Sequence, residues 1–311
     1  MQSSLRGPHA RSRIAVIGAG RVGAVLAAAL RERGHEITAV AGESPASRTR
    51  IETLLPGMRV DKPTAVARSC DVVLLSVPDD MLDNVVRMLA ASGALRAGQY
   101  VVHTSGRHGL AVLSPASGLG AHPLAMHPAM TFTGTDVDLA RLPGCRYGVT
   151  ATPQTRELAA ALVADLGGGV VDVPEDLRTL YHAGLAHGAN HLVTLVTQAM
   201  DLLRASGAKD PAGTLRPLLT AALDNALSYG GAALTGPIVR GDVQTVRAHL
   251  FDIAESAPGT LASYVTMARA TVDQAVQAGR LVPIRAAALH GVLDDALARD
   301  ARADARTRPR A

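Results

Sequence analysis

The run RIAVIGAG (13–20) passes without a break into GAGRVG (18–23), and that turn opens onto the alanine-rich stretch AVLAAAL (24–30). An apolar strand that turns through spaced glycines into a helix is the first unit of a parallel sheet. In that setting G-x-G-x-x-G reads as a dinucleotide-binding turn. Gly18 permits the tight turn, Gly20 lets backbone approach a pyrophosphate, and Gly23 lets the helix pack closely on the strand. The amides of Arg21 and Val22, with the helix dipole, then hold the phosphates.

The first half of the chain repeats this alternation. HEITAV (35–40), DVVLLSVP (71–78), QYVVHTSG (99–106), RYGVTA (146–151) and GVVDVP (169–174) read as strands. VGAVLAAALRERG, MLDNVVRMLAASG and TRELAAALVADLGG read as helices between them. The expectation is an α/β fold: a doubly wound, mostly parallel, Rossmann-like sheet. Pro78 stops a strand, and Asp79 or Asp80 can cap the helix after it. Beyond Pro174 strand signals nearly vanish, and helical runs follow at about 175–206, 211–230, 241–256, 258–280 and 283–299. The expected organisation is a dinucleotide-binding domain over 13–174 and an all-helical domain over 175–300. Tails at 1–12 and 301–311 are expected to be disordered.

A formal net charge of +4 invites a nucleic-acid reading, but the charge sits in the tails. Arg6, Arg11 and Arg13 load one end, and five Arg against two Asp load residues 299–311, leaving the body slightly acidic. Such a body offers no groove to track phosphates, so nucleic acid is not an expected partner. Cys70 and Cys145 are isolated, as suits a reducing cytoplasm, and MQSSLRGPHARSR lacks the apolar core of a leader. Residues 179–200 hold no Asp, Glu, Lys or Arg, yet three His, an Asn, a Gln and three Thr make lipid a poor environment. No membrane association is expected.

The second strand ends near Ala41 without the carboxylate that usually holds the ribose of NAD. Instead AGESPASRTR (41–50) offers Ser44, Ser47, Arg48 and Arg50 to a 2′-phosphate, which favours NADP; Glu43 keeps NAD as the alternative. Val77, Pro78 and His103, at the ends of the next strands, complete the candidate cofactor set, since ligands bind beyond the carboxyl ends of parallel strands. Residues 103–134 read as a loop crowded with His, Ser, Gly and Pro, in which His103, Ser105, His122 and His127 are site candidates. HPLAMHP lacks a third ligand at a recognisable spacing, so no metal is expected.

YHAGLAHGANH (181–191) opens a long uncharged helix. At about 100° per residue, Leu185, Ala189, Leu192, Val196, Met200 and Leu203 form an expected core face. Ala183, His187, Asn190, His191, Thr194, Thr197 and Gln198 form a polar stripe suited to a cleft or a subunit interface, with His182 on its flank. Catalysis and polar packing between helices both remain open readings of that stripe.

From GAGRVG through SVPDD, HTSG, HP and YHA to ALTGPIVRGDVQTVRAHL, the chain resembles a bacterial family in which a Rossmann-like domain precedes a helical domain of unknown function. The family lies within the 6-phosphogluconate dehydrogenase-like (β-hydroxyacid dehydrogenase) superfamily, with an architecture like that of ketopantoate reductase. The resemblance covers nearly everything except the tails, and LTGPIVRGD (234–242) is its most specific part. Related dehydrogenases carry G-x-G-x-x-x-K-x-x-N on the first helix of the second domain. HAGLAHGAN brings His187 onto the lysine and Asn190 onto the asparagine, while Lys62 and Lys209, the chain's two lysines, lie elsewhere.

The resemblance implies an NADP(H)-dependent oxidoreductase acting on the C=O or C=N bond of a small anionic metabolite, such as a 2-keto acid, in an interdomain cleft. His187 is the first candidate acid and His182 the second. Asn190 and Ser105 would hold the substrate, and Arg240 would pair with its carboxylate. A homodimer through the helical domain is expected. A non-catalytic NADP(H) sensor and a deazaflavin-coupled NADP reductase are the alternatives.

Overall fold

The structure, a computed structural model, describes residues 11–307. It divides into two compact units, Met1–Asn190 and His191–Ala311.

The first unit is built on seven strands: β1 (Arg13–Ile17), β2 (Glu36–Ala41), β3 (Val72–Leu75), β4 (Tyr100–His103), β5 (His122–Pro128), β6 (Arg146–Ala151) and β7 (Gly169–Asp172). Their order across the sheet is β2-β1-β3-β4-β5-β6-β7, parallel throughout except for the antiparallel β5–β6 pair. Helices α1 (Arg21–Glu32), α2 (Pro45–Leu54), α3 (Pro63–Arg68), α4 (Asp79–Ala91), α5 (Ser114–Ser117), α6 (Val137–Arg141) and α7 (Arg156–Asp165) connect them. Side chains alternate across a pleated strand. Ile14 and Val16 of β1 therefore join one core layer with α1 and α7, while Ala15 and Ile17 join the opposite layer with α3 and α4. Both faces are covered, which is why these strands are apolar throughout rather than alternating.

One expectation is corrected by the sheet. HPLAMHP is not loop but the interior strand β5. Two prolines disguised it, and the ladder shows how they are tolerated. The His122 amide donates to the Gln99 carbonyl next to β4 at 2.8 Å. Pro123 consequently faces the other way, where pairing with β6 begins only at Leu124. Pro128 faces the β4 side again, three residues beyond Ala125, where the β4 pairing ends. Neither ring nitrogen stands opposite an acceptor that needs it.

Helix α8 (Arg178–Ala205) follows. The change from strand to helix falls near residue 174, as read from the sequence, but the division between units falls within α8, after Asn190. Hydrogen bonds from Arg178 and Tyr181 tie the start of this helix to the sheet. Its expected core face is not buried within the chain: α8 buries Arg178, whereas Leu192 is exposed and Leu185 and Met200 are half-buried. Among the described residues, no helix is long and apolar enough to cross a membrane.

The second unit contains α9 (Pro211–Tyr229), α10 (Val243–Ser256), α11 (Leu261–Gln277) and α12 (Pro283–Thr307). Apolar residues at helical spacing, such as Val246, Leu250 and Ile253 of α10 and Leu261, Val265, Ala268 and Val272 of α11, meet Leu289 and Leu293 of α12 in one core. Asp242 caps α10, accepting from the Thr245 amide at 3.0 Å, so LTGPIVRGD is the turn that starts this helix. Helix α12 runs to Thr307, which makes 301–307 helical where a tail was expected; the expected tails at 1–10 and 308–311 lie outside the described residues.

Candidate functional site

The three glycines of GAGRVG meet three different surroundings. Gly18 has φ +96°, and a Cβ there would stand 2.5 Å from the Ser76 carbonyl oxygen. A Cβ on Gly23 would stand 2.2 Å from the Gly18 carbonyl oxygen. A Cβ on Gly20 would meet nothing within 4 Å. Gly20 is the N-cap of α1, where no side chain caps the helix and no acidic residue occupies the first turn. The amides at this helix end are thus presented to open space with a favourable dipole, an arrangement that fits a pyrophosphate. β1 has β2 on one side and β3 on the other, so this turn lies at the switch point where open parallel sheets bind ligands.

From the ends of β1, β3, β4 and β5 the chain closes a cavity of about 370 Å³. Gly20, Arg21 and Val22 line one side, and Ser76, Val77, Pro78 and Asp79 line the next. Thr104, Ser105 and Gly106 follow, and His127 of β5 and His182 of α8 complete it. Thr104 Oγ1 donates to Ser76 Oγ at 3.0 Å, joining two of these strand ends. Gly106 is held by proximity: a Cβ there would reach 2.4 Å from His182 Cδ2 and 3.1 Å from His127 Nε2.

His127 is the most constrained titratable group in this cavity. Its Nδ1 lies 3.1 Å from the Tyr181 hydroxyl, and its ring meets those of Tyr181 and His182 edge-on, each with centroids 5.7 Å apart. Burial, then the neighbouring His182 and Arg178, push its pKa down to about 4, so it is neutral at pH 7. Burial pushes the Tyr181 phenol up. His127 and His182 also line a second cavity of about 220 Å³, with Ala129, Met130, Thr131, Leu185, Ala186, Ala189 and Asn190.

Arg178 supports this cluster from below. It is wholly buried, and its guanidinium donates to the Gly148 carbonyl (3.3 Å), Thr150 Oγ1 (3.1 Å) and the Ser105 carbonyl (2.6 Å). It thereby joins β6 to the segment after β4. Sequence reasoning passed over Arg178 and Tyr181. The available signal was an arginine at the junction where the strands stop, followed by residues 179–200 without a formal charge.

The other candidates are placed as follows. Val77, Pro78 and Ser105 line the larger cavity. His103 does not line it: the ring is fully buried, the Ser105 amide donates to Nδ1 at 3.2 Å, and Nε2 donates to the Gly109 carbonyl at 2.8 Å. It folds the loop that carries Ser105, and burial pushes it down to about 4. Asn190 lines the smaller cavity, whereas His187 is exposed and lines neither. The lysine register of the related dehydrogenases selected His187; the helix instead presents His182 to the cavity, five residues earlier. Ser44 caps α2 by accepting from the Ser47 amide at 3.1 Å, and Arg48 is exposed on the same helix. His122 packs on Tyr100 with centroids 5.2 Å apart. Arg240 belongs to the second unit, exposed, with its carbonyl accepting from Arg285. Among the described residues, no three His, Cys, Asp or Glu side chains converge as a metal would require.

Residues 2–128 match the model of a Rossmann-like domain, and residues 145–271 match a domain of unknown function, DUF2520. The chain is a Rossmann-like domain followed by a DUF2520 helical domain. No curated protein matches it in sequence. Among solved structures it is similar to a Bacteroides fragilis protein described as a candidate NADP oxidoreductase, at 20% identity and TM-score 0.73, over 86% of this chain and 100% of that one. It is also similar to Plasmodium falciparum pyrroline carboxylate reductase with NADP bound (11% identity, TM-score 0.56, 86% and 97% covered). A third is the reductive aminase of Aspergillus terreus in complex with NADPH4, cyclohexanone and allyl amine (15%, 0.59, 93% and 95%). At these identities the likeness establishes the shared fold.

Proposed function

We propose that the protein is an NADP(H)-dependent oxidoreductase that reduces a C=O or C=N bond of a small molecule. One observation carries the reading: the open helix terminus at Gly20 and the histidines His127 and His182 line the same cavity. The first would hold a dinucleotide, and the second would face the atom that receives hydride. The similar proteins named above, two of which bind NADP or NADPH, support the cofactor. So does the absence of a carboxylate where β2 ends at Ala41, with Ser44 and Arg48 just beyond.

The cofactor supplies hydride when bound. The turn at Gly18, Gly20 and Gly23 receives its phosphates, and Val77 and Pro78 wall the cavity beside it. His182 and His127 stand where a proton or a hydrogen bond is needed, and Ser105 and Asn190 are placed to contact substrate.

The assay is a fluorescence titration with NADPH and NADH, repeated on Arg48→Ala. Micromolar NADPH binding, weakened by that substitution and tighter than NADH binding, is the expected result. Binding of neither nucleotide would refute the reading.

The helical domain is also proposed to form a homodimer. Leu180, Val193, Leu218 and Leu227 are 64–79% exposed along α8 and α9, more apolar surface than a lone chain comfortably leaves in water. Sedimentation showing monomer alone at micromolar concentration would refute this.

A further inference from the structure

We propose that the backbone N–H of Gly106 holds the oxygen of the carbonyl group being reduced, and that Arg178 is the positioning residue that strengthens this donor from behind. This rests on the oxidoreductase reading and names the part of the substrate that the site grips, the oxygen of a ketone or aldehyde.

Gly106 is buried and lines the 370 Å³ cavity. Its amide has no acceptor among the described residues, whereas the neighbouring amides are provided for. The Ser105 amide donates to His103 Nδ1 at 3.2 Å, the His108 amide donates to Ser105 Oγ at 3.1 Å, and Arg107 is exposed to water. Buried backbone donors are almost always paired, so this one marks a place for a ligand's acceptor.

The direction of the donor follows from its peptide. Among the described residues no peptide bond is cis, and a trans peptide points its C=O and N–H in opposite directions. The Ser105 carbonyl accepts from Arg178 Nη2 at 2.6 Å. Arg178 is wholly buried and forms no part of the cavity wall. The Gly106 N–H therefore points away from the guanidinium, and the open space that Gly106 borders is the cavity.

Arg178 also sets the strength of the donor. The carboxylates that act on it are Glu175 and Asp79, and both are engaged elsewhere. Glu175 accepts from the Leu110 and Ala111 amides at 2.7 and 2.9 Å, and Asp79 stands 3.6 Å from Arg107. A charged donor on the Ser105 carbonyl draws electrons through the peptide, and bonds in such a chain strengthen one another. Negative charge on an oxygen at Gly106 gains from both groups.

The histidines indicate which oxygen this is. A Cβ on Gly106 would stand 2.4 Å from His182 Cδ2 and 3.1 Å from His127 Nε2, so both rings close on this residue. An oxygen held here lies beside a group able to protonate it, as suits the oxygen that becomes an alcohol. Hydride delivered to the carbonyl carbon sends the π electrons onto that oxygen and leaves an oxidised nicotinamide. The oxygen, held by the Gly106 N–H, takes a proton from His182, which regains one from water. A donor in place before the charge develops is worth about 10²–10³ in rate.

Nitrogen-15 glycine with serine carbon-13 at the carbonyl singles out the Ser–Gly peptides, those of Gly93, Gly106, Gly118 and Gly207; the Gly106 signal is the one lost in Ser105→Ala. In the native protein saturated with NADP+, cyclohexanone or isobutyramide, an unreactive carbonyl mimic, should move the Gly106 amide proton downfield and leave the other three in place. Replacing Gly106 by glycolic acid, which removes the N–H and adds no atom, should lower kcat for cyclohexanone and small aldehydes about 10²–10³-fold without weakening NADPH binding. Arg178→Met should diminish the shift and lower kcat roughly tenfold at unchanged KM for NADPH, and Arg178→Lys, which keeps a cation, should restore part of both. If Arg178→Met fails to fold, the native spectra and the glycolic acid variant decide. No shift with either compound, a shift produced in full by NADP+ alone, which would make the cofactor's carboxamide the acceptor, or an unaltered kcat without the N–H would overturn the assignment while NADPH binding still supported the oxidoreductase reading. Absence of NADPH binding by the native protein would overturn both.

Discussion

Replacing Gly20 by alanine should separate binding from stability. The residue has φ −76° and ψ −162°, which alanine adopts without strain, and the added methyl meets nothing within 4 Å. Alanine caps a helix less well than glycine, at roughly 0.5–1 kcal/mol, but restricting the unfolded chain returns about 0.4–1 kcal/mol. The two nearly cancel, so the melting temperature should move by no more than about 2 °C. The same methyl fills the space where a pyrophosphate would touch backbone. Loss of one hydrogen bond to a charged group, about 1.5–3 kcal/mol, should raise the Kd for NADPH roughly 10- to 150-fold. Gly18→Ala is the contrast: it places a methyl 2.5 Å from the Ser76 carbonyl oxygen at φ +96°. Backbone strain alone costs about 1–3 kcal/mol there, so both stability and binding should fall. Titration and thermal melting of the two variants together form the assay. Unchanged NADPH affinity in Gly20→Ala would show that no phosphate lies over Gly20, and a melt as low as that of Gly18→Ala would refute the open geometry itself.

Three further outcomes are expected. His103 and His127 are held near a pKa of about 4, below the ordinary imidazole value, so between about pH 4 and 6.5 the unfolded chain binds more protons than the native one. Stability should be full above that window and fall through it on acidification, with a slope from this pair approaching about 2.7 kcal/mol per pH unit; a melting temperature constant from pH 6.5 to 4.5 would count against both assignments. Burial pushes the Cys70 thiol up to about 11 and also raises Cys145, so a thiol reagent at pH 8 should label both only after denaturant is added, and native labelling would show the burial to be wrong. Arg178→Ala should destabilise the first unit by about 3–5 kcal/mol, because the Ser105 and Gly148 carbonyls lose their donor; a melt within 2 °C of the native protein would contradict that account.

The glycine turn was legible in the sequence because its three residues act locally, through the backbone of one strand–turn–helix unit, where Gly18 and Gly23 are closely packed and Gly20 is open. The alternation of strands and helices was legible for the same reason. β5 was not, since propensity treats proline as a strand breaker and cannot see that the ring nitrogens of Pro123 and Pro128 face no acceptor that needs a donor. On α8 the lysine register selected His187, which is exposed, whereas His182 lines the cavity. Which histidine reaches the cavity depends on how Arg178 anchors the helix to β6 and Tyr181 anchors it to His127 of β5, contacts between residues 28 to 54 positions apart. His103 shows the opposite failure: a strand-end histidine has the look of a ligand until both ring nitrogens are found bonded to the loop.

The two prolines of β5 also specify how the sheet assembles. A strand slipped by two residues along β4 would keep its apolar face but carry a proline ring against a carbonyl that expects an amide. A slip by one residue would turn Leu124 and Met126 out of their core layer. The observed alignment satisfies both constraints and sets His127 one residue before the end of the strand, beside α8. Residues that impede strand formation in isolation here act as an alignment code, protecting the chain against mispairing at the point where its sheet reverses direction.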